Sequence, residues 1–444
     1  MFTAPRLVTP VRKRLSADAL YSMLRARCDD IPDHRQPKSP ISLPDALMSA
    51  VAMFVLKDPS LLAFDARRND QNMKNLFGIQ QVPCDTHMRE VVDPLEPDQF
   101  RPFFNDVFRE LQRGKVLEQF VFHQGCYLLL LDGTEYFSSQ KIHCESCLER
   151  VNQKTGEVTY YHQMVGAEIV HPDRREVIPL APEPIHKQDG STKNDCERNA
   201  TKRLVGKIRQ EHPHLKLIVV EDGLASNAPH IRMLQAAHMH FLLGAKPGDH
   251  ESLFQEVLAA YEQDRVTVVE WHEGDILCTI AFVNKVALNK SNPDLLVNYL
   301  FYAEYGPDGE KQKCFTWVTD LKITRLNARH LMRGGRSRWR IENETFNTLK
   351  NQGYHYDHNY GHGEAHLSVL FAMLMMLAFL TDQVQQICCP LFQAVLEKVR
   401  SKRVLWERLR SHYWHFTFQS MRQLYEVILY DLAKEMPPPR LDSS

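Results

Sequence analysis

Residues 127–132 read Tyr-Leu-Leu-Leu-Leu-Asp, and residues 215–222 read Leu-Lys-Leu-Ile-Val-Val-Glu-Asp. Each carries a short apolar run without the alternation of a half-exposed strand, which predicts a central strand buried on both faces. Each ends in an aspartate followed by glycine: Asp132-Gly133 and Asp222-Gly223. Between them, residues 193–211 put Ala200, Leu204, Val205 and Ile208 on one helical face. A helix over 227–237 then leads to a third strand at 241–245. Residues 158–170 and 175–180 add strands, split by the turn His171-Pro-Asp173. Strands alternating with helices predict an α/β layer fold.

Downstream the rhythm changes. Segments 266–271, 276–282, 300–304 and 314–319 are separated by turn signals and predict an antiparallel sheet, a β-rich insertion at about 247–325. Helical spacing resumes at 327, runs through 339–350 and returns at 363–387. Upstream, residues 42–119 are helical, with Ser42 as a cap and Ala46, Leu47, Ala50, Val51, Phe54 and Val55 at 3.6-residue spacing. A short helix over 83–90, capped by Asp85 or Thr86 and ended by Asp93-Pro94, follows Asn75-Leu-Phe-Gly78. This pattern suits a helix-turn-helix that offers Arg89 to DNA, and equally an ordinary helical bundle. The resulting division is an N-terminal helical DNA-binding region (1–121), a catalytic domain (122–390) and a C-terminal helical region (391–444). The last has basic faces (Arg400, Lys402, Arg403, Arg408, Arg410), is suited to dimerisation, and ends in Pro437-Pro-Pro439.

The 444 residues carry 54 Lys and Arg against 55 Asp and Glu, a net charge of -1. Proteins that only coat nucleic acid are basic throughout, so any DNA contact here must be concentrated in patches. Ten cysteines are scattered without a secreted-type framework, and no apolar leader with a cleavage site opens the chain. The expectation is a reducing, cytoplasmic protein, nucleoid-associated when acting, with a flexible basic arm at Arg6, Arg12, Lys13 and Arg14. The run LSVLFAMLMMLAFL at 367–380 has the length of a buried core helix, so no membrane partner is expected.

In open α/β sheets the reactive crevice lies outside the carboxyl ends of the strands, where Asp132 and Asp222 can converge. Two carboxylates brought together repel unless a cation or proton sits between them. Mg²⁺ or Mn²⁺ is the natural occupant, and a third acid would allow two ions and in-line phosphoryl transfer. The third acid is suggested by residues 336–350, RSRWRIENETFNTLK, where Arg338 and Glu342 share a helical face at i,i+4 and Glu344 turns away. Taken alone, that segment is equally a solvated helix with ordinary ion pairs.

LDGTEYF, VVEDGLAS and RWRIENETFNTLKNQGYHYDHNYGHG, the last downstream of a β-rich stretch, together resemble a bacterial insertion-sequence transposase of the DDE type, in its insertion-sequence-four-type group. The resemblance is firmest over 127–366. It implies an RNase H-like catalytic domain in which Asp132, Asp222 and Glu342 bind two Mg²⁺ or Mn²⁺ ions. It implies cleavage of the element's ends, transfer of the 3′-hydroxyl into target DNA, and a homodimer when two ends are synapsed. The family signature is Tyr, two residues, Arg, three residues, Glu, six residues, Lys. Arg338 and Glu342 match it, the Tyr position is Gly335, and the Lys position is Leu349 with Lys350 one residue beyond. The resemblance assigns Arg338 to a phosphate near the metals. Arg336, Arg340 and Lys350 lie near enough to replace the missing contacts, and Trp339 is expected in the core. The rival functions are an RNase H-like nuclease that cuts without joining and a non-catalytic DNA-binding protein.

Cys144-Glu-Ser-Cys147, with His143 adjacent and His123 upstream, has the spacing of half a zinc site. No second Cys-x-x-Cys completes it, and the expectation is a surface loop. The imidazole-rich run at 355–366 is expected to form a loop before the apolar helix. Metal binding there, or hydrogen bonding to DNA or to the acids, stays open. Neither His162-Gln163 nor Asp195-Cys-Glu-Arg198 is assigned a catalytic role.

Overall fold

The computed structural model describes residues 14–36, 39–187 and 194–435. The basic arm over 1–13 and the tail at Pro437 lie outside them. Six helices open the fold: α1 (Ala17–Cys28), α2 (Leu43–Val55), α3 (Leu61–Asp65), α4 (Gln71–Phe77), α5 (Asp85–Val92) and α6 (Arg101–Arg113). Strands β1 (Val121–His123), β2 (Cys126–Ser139), β3 (Leu148–Val151), β4 (Val158–Val170), β5 (Ile178–Pro179) and β6 (Glu183–Ile185) come next. The alternating section is α7 (Glu197–Glu211), β7 (Leu217–Glu221), α8 (Ala228–Ala236) and β8 (His240–Gly244). Then come α9 (Glu251–Glu262), β9 (Thr267–Glu273), β10 (Ile276–Asn289), β11 (Asn292–Tyr305) and β12 (Lys311–Thr319). Helical structure closes the chain: α10 (Ala328–Arg336), a wide π-turn (Ile341–Phe346), α11 (Asn347–Asn351), α12 (Leu367–Cys388), α13 (Pro390–Val399), α14 (Lys402–His415) and α15 (Met421–Tyr430).

The described strands form one open, mixed, 12-stranded sheet in the order β3-β4-β2-β7-β8-β12-β11-β10-β9, with β1 on β2 and β5 and β6 on β4. Only β2–β7 and β7–β8 are parallel. Leu128 to Leu131 in β2 and all of β7 are buried, as their unbroken apolar runs require of strands covered on both faces. Strand 175–180 shrinks to the two residues of β5. The β-rich stretch is not a sheet of its own. β12 pairs antiparallel with β8 (Val318↔Leu243), so these strands lengthen the sheet that carries Asp132. Before them stands α9, a helix absent from the sequence reading although Leu253, Phe254, Val257 and Ala260 follow helical spacing; it packs on β10.

Ser42 caps α2 by accepting from the Asp45 amide at 3.2 Å. The cap of α5 differs from expectation: Cys84 precedes it, and Asp85 accepts from the Thr86 amide. Helices α1, α2 and α15 pack with α12, directly or through one another, so the two ends of the chain share one apolar core. Lys57 and Asp382 form a buried ion pair at 2.5 Å beneath α12, and the Tyr354 hydroxyl donates to the same carboxylate at 2.7 Å. Only α12 among the described helices is long and apolar enough to cross a bilayer, and nearly all of it is buried inside the fold.

Candidate active site

β2 continues through Asp132 to Ser139, so this aspartate lies inside its strand and not at the strand's end. What ends there is the parallel pairing. β2 and β7 are matched from Tyr127↔Leu217 to Leu130↔Val220, and beyond that point β2 keeps only β4, with Asp132 opposite Gly166. Asp132 and Asp222 each come two residues after the last matched pair of β2 and β7. Asp222 comes directly after the last residue of β7 and caps a single 3₁₀ turn, accepting from the Leu224 amide at 2.9 Å.

Glu342 arrives from the other side of the sequence. The π-turn that carries it sits on β4, with Ile341 and Phe346 over Gly166; a Cβ on residue 166 would lie 3.0 Å from the Phe346 ring. The absent side chain at 166 therefore lets the Glu342 segment settle beside Asp132. Arg338 joins the two acids, with Nη1 3.3 Å from Asp132 Oδ2 and Nη2 donating to Glu342 Oε1 at 2.9 Å. Glu344 acts electrostatically on Arg340 and on the buried Glu168 instead.

A fourth carboxylate, Glu197, was not assigned to the site from sequence. It is the first residue of α7, and its Oε2 lies 2.5 Å from where a Cβ at Gly133 would be, so a side chain at 133 would push this carboxylate aside. Burial pushes the Asp132 carboxyl up to about 7. Arg338 opposes this, and the negative charges of Glu197 and Glu342 add to it. Burial also raises Glu197, helped by Asp222 and Glu221. Asp132 thus feels Glu197 and Glu342, and Glu197 in turn feels Asp222.

Gly335 is packed against the Trp317 indole, 2.5 Å from where a Cβ would be, so the space a Tyr would need is filled by β12. Leu349 is fully buried, and the Lys350 ammonium donates to the Glu135 carbonyl at 2.9 Å, three residues along β2 from Asp132. A π-turn holds about one residue more than an α-turn. The eight-residue step from Glu342 to Lys350 therefore covers roughly the two turns that seven residues would on an α-helix, which absorbs the one-residue displacement.

Two further arginines of this segment have partners of their own. Arg336 pairs with Glu304 at 3.0 Å and lies over the Tyr302 and Phe315 rings. Arg340 is buried and donates to the Pro172 carbonyl at 2.7 Å. Trp339, expected in the core, is 44% exposed. Arg89 is exposed on α5, paired with Asp85 at 3.0 Å, its stem against Gly361.

Residues 176–380, a little under half of the chain, match the family model described as Transposase DDE domain. The match includes Asp222, Arg338, Glu342 and Lys350 and begins after Asp132. No curated protein matches the chain.

Proposed function

Because the match to a transposase DDE domain joins a sheet whose parallel pair β2–β7 leads directly to Asp132 and Asp222, we propose that this protein is a DNA transposase of the insertion-sequence type. It cuts the ends of its element and joins the freed 3′-hydroxyl to target DNA. The observation that carries this reading is the bridging of Asp132 and Glu342 by Arg338, at the point where β2 and β7 stop pairing two residues short of Asp132 and Asp222. The sheet order β4-β2-β7-β8, antiparallel and then parallel, supports an RNase H-like core, and the group proposed is the insertion-sequence-four type.

The donor set fits a hard cation. Asp132, Asp222 and Glu342, with Glu197, offer only carboxylate oxygens, and burial with the charges of Glu197 and Glu342 pushes Asp132 upward. Two Mg²⁺ or Mn²⁺ ions held there would supply the charge that activates the attacking oxygen and stabilises the leaving one. The chain's own groups do the positioning. Asp132 stands on β2, Asp222 directly follows β7, and Glu342 closes the site from the π-turn. The Arg338 guanidinium, shared by two carboxylates, can turn its fork to a phosphate oxygen. Lys350 adds positive charge along β2, and Arg89 is offered to DNA from α5. Synapsis of two ends calls for a homodimer on DNA.

The test is a cleavage and strand-transfer assay with Mg²⁺ or Mn²⁺ on DNA carrying the sequences that flank the gene, with Glu342→Gln and Glu344→Gln in parallel. Joined products lost only with Glu342→Gln would support both the reaction and the third acid. Cutting without joining would favour a nuclease of the same fold, and binding without metal-dependent cutting would favour a DNA-binding protein.

A further inference from the structure

Cys144 and Cys147, expected on a surface loop, are buried, and two histidines from distant segments complete their surroundings. His162 stands on β4 and His362 lies in the loop before α12; both are buried. The two Sγ atoms are 3.8 Å apart. His162 Nε2 is 3.4 Å from each sulfur, and His362 Nε2 is 3.2 Å from Cys147 Sγ. All four donor atoms lie within 4.8 Å of one another.

These spacings are those of a tetrahedron with a small ion at its centre. Zn–S and Zn–N bonds of about 2.3 and 2.05 Å at tetrahedral angles give S···S edges of about 3.8 Å and S···N edges of about 3.6 Å. A disulfide, which needs about 2.05 Å between sulfurs, does not account for the pair. The arrangement is built by the fold. Gly361 (φ +139°) and Gly363 (φ +69°) flank His362 in backbone conformations that side chains rarely adopt. The Asp93 carboxylate pins the entry to α12 by accepting from the amides of Glu364, Ala365, His366 and Leu367. The Glu145 amide meets the Glu364 carbonyl at 3.4 Å, closing the cysteine loop onto the histidine loop. Neither histidine's Nδ1 has a hydrogen-bond partner among the described residues, so packing orients the rings: His162 stacks on Tyr136, and His362 lies 4.4 Å from Phe137.

We infer that Cys144, Cys147, His162 and His362 hold one structural zinc ion. Soft thiolates with imidazole in tetrahedral array select zinc over the hard cations that suit the carboxylate site. Two thiolates and two neutral imidazoles cancel its charge, which suits a buried position. With four protein ligands no position is open for water, so the ion's role is to tie the loop after β2, the strand of Asp132, to the segment beyond Lys350.

The full chain, purified without added metal, is expected to contain one zinc per chain by elemental analysis. Cys147→Ser is expected to lose it, and the exposed Cys314→Ser to retain it. Exchange with Co²⁺ is expected to give the thiolate charge-transfer band and intense d–d bands of a tetrahedral site. Chelation is expected to lower Tm by about 10 °C or more, restored by Zn²⁺ and not by excess Mg²⁺. If Cys147→Ser does not fold, the metal content and cobalt spectrum of the unaltered protein still decide. Less than a tenth of an ion per chain after reconstitution with Zn²⁺, or a weak octahedral cobalt spectrum, would overturn the assignment.

Discussion

The guanidinium of Arg338 spans Asp132 and Glu342, 3.3 Å from the first carboxylate and 2.9 Å from the second, residues 210 positions apart in the chain. A planar fork can satisfy two acceptors at once, whereas an ammonium is a point charge that favours one. Arg338→Lys is therefore expected to slow DNA cleavage about 10- to 100-fold, the worth of one charge-assisted hydrogen bond, while end binding changes only a few-fold. Cleavage rates and a mobility-shift titration on the same preparation check this, and an unchanged rate would reduce Arg338 to a surface ion pair.

Asp132→Asn keeps the size of the side chain and removes its charge. Cleavage and strand transfer should both fall by about a thousandfold or more, since several kcal/mol of charge stabilisation are lost, with end binding intact. Retained cleavage would take Asp132 out of the site.

Placing a tyrosine at Gly335, where the transposases that the chain resembles carry one, should harm the protein. The Trp317 ring occupies the space, and forcing a side chain into a packed core typically costs about 1–3 kcal/mol. Gly335→Tyr should lower the denaturant midpoint without raising activity. A stable variant with faster cleavage would mean that the glycine is a lesion rather than an adaptation to β12.

His212 offers a pH test away from the acids. It is buried 4.4 Å from the Phe108 ring, and burial pulls its pKa down to about 4, with Arg101, Arg109 and Arg209 adding to the shift and Glu211 opposing it. The unfolded chain takes up this proton near pH 6.5 and the folded chain only near 4. Stability is therefore lost as pH falls through that window, by at most about 3 kcal/mol. Urea titrations at pH 7, 5.5 and 4.5 should give His212→Leu a shallower loss than the unaltered protein; identical slopes would refute the shift.

The strands of Asp132 and Asp222 were legible because a strand buried on both faces has to be apolar throughout, a constraint written into consecutive residues. Arg338 and Glu342 were legible for the same local reason, being one helical turn apart. Glu197 was not, since nothing near Cys196 and Arg198 announces that this carboxylate will lie over Gly133; α7 brings it there by packing across the sheet. The partners of Arg336 and Arg340 were equally hidden, because Glu304 on β11 and the Pro172 carbonyl in the turn after β4 are distant in sequence.

What the sequence by itself determined is the type of the main strands and helices, the cap at Ser42, and which residues carry charge or a soft ligand. Only the tertiary structure decided that Asp132 sits where parallel pairing stops, that a π-turn absorbs the displacement of Lys350, and that a cysteine pair meets His162 and His362. The first and last depend on strand register and on contacts as distant as the 215 residues between Cys147 and His362, where the energy lies in packing between surfaces. Local spacing records only what a residue does within a few positions along the chain.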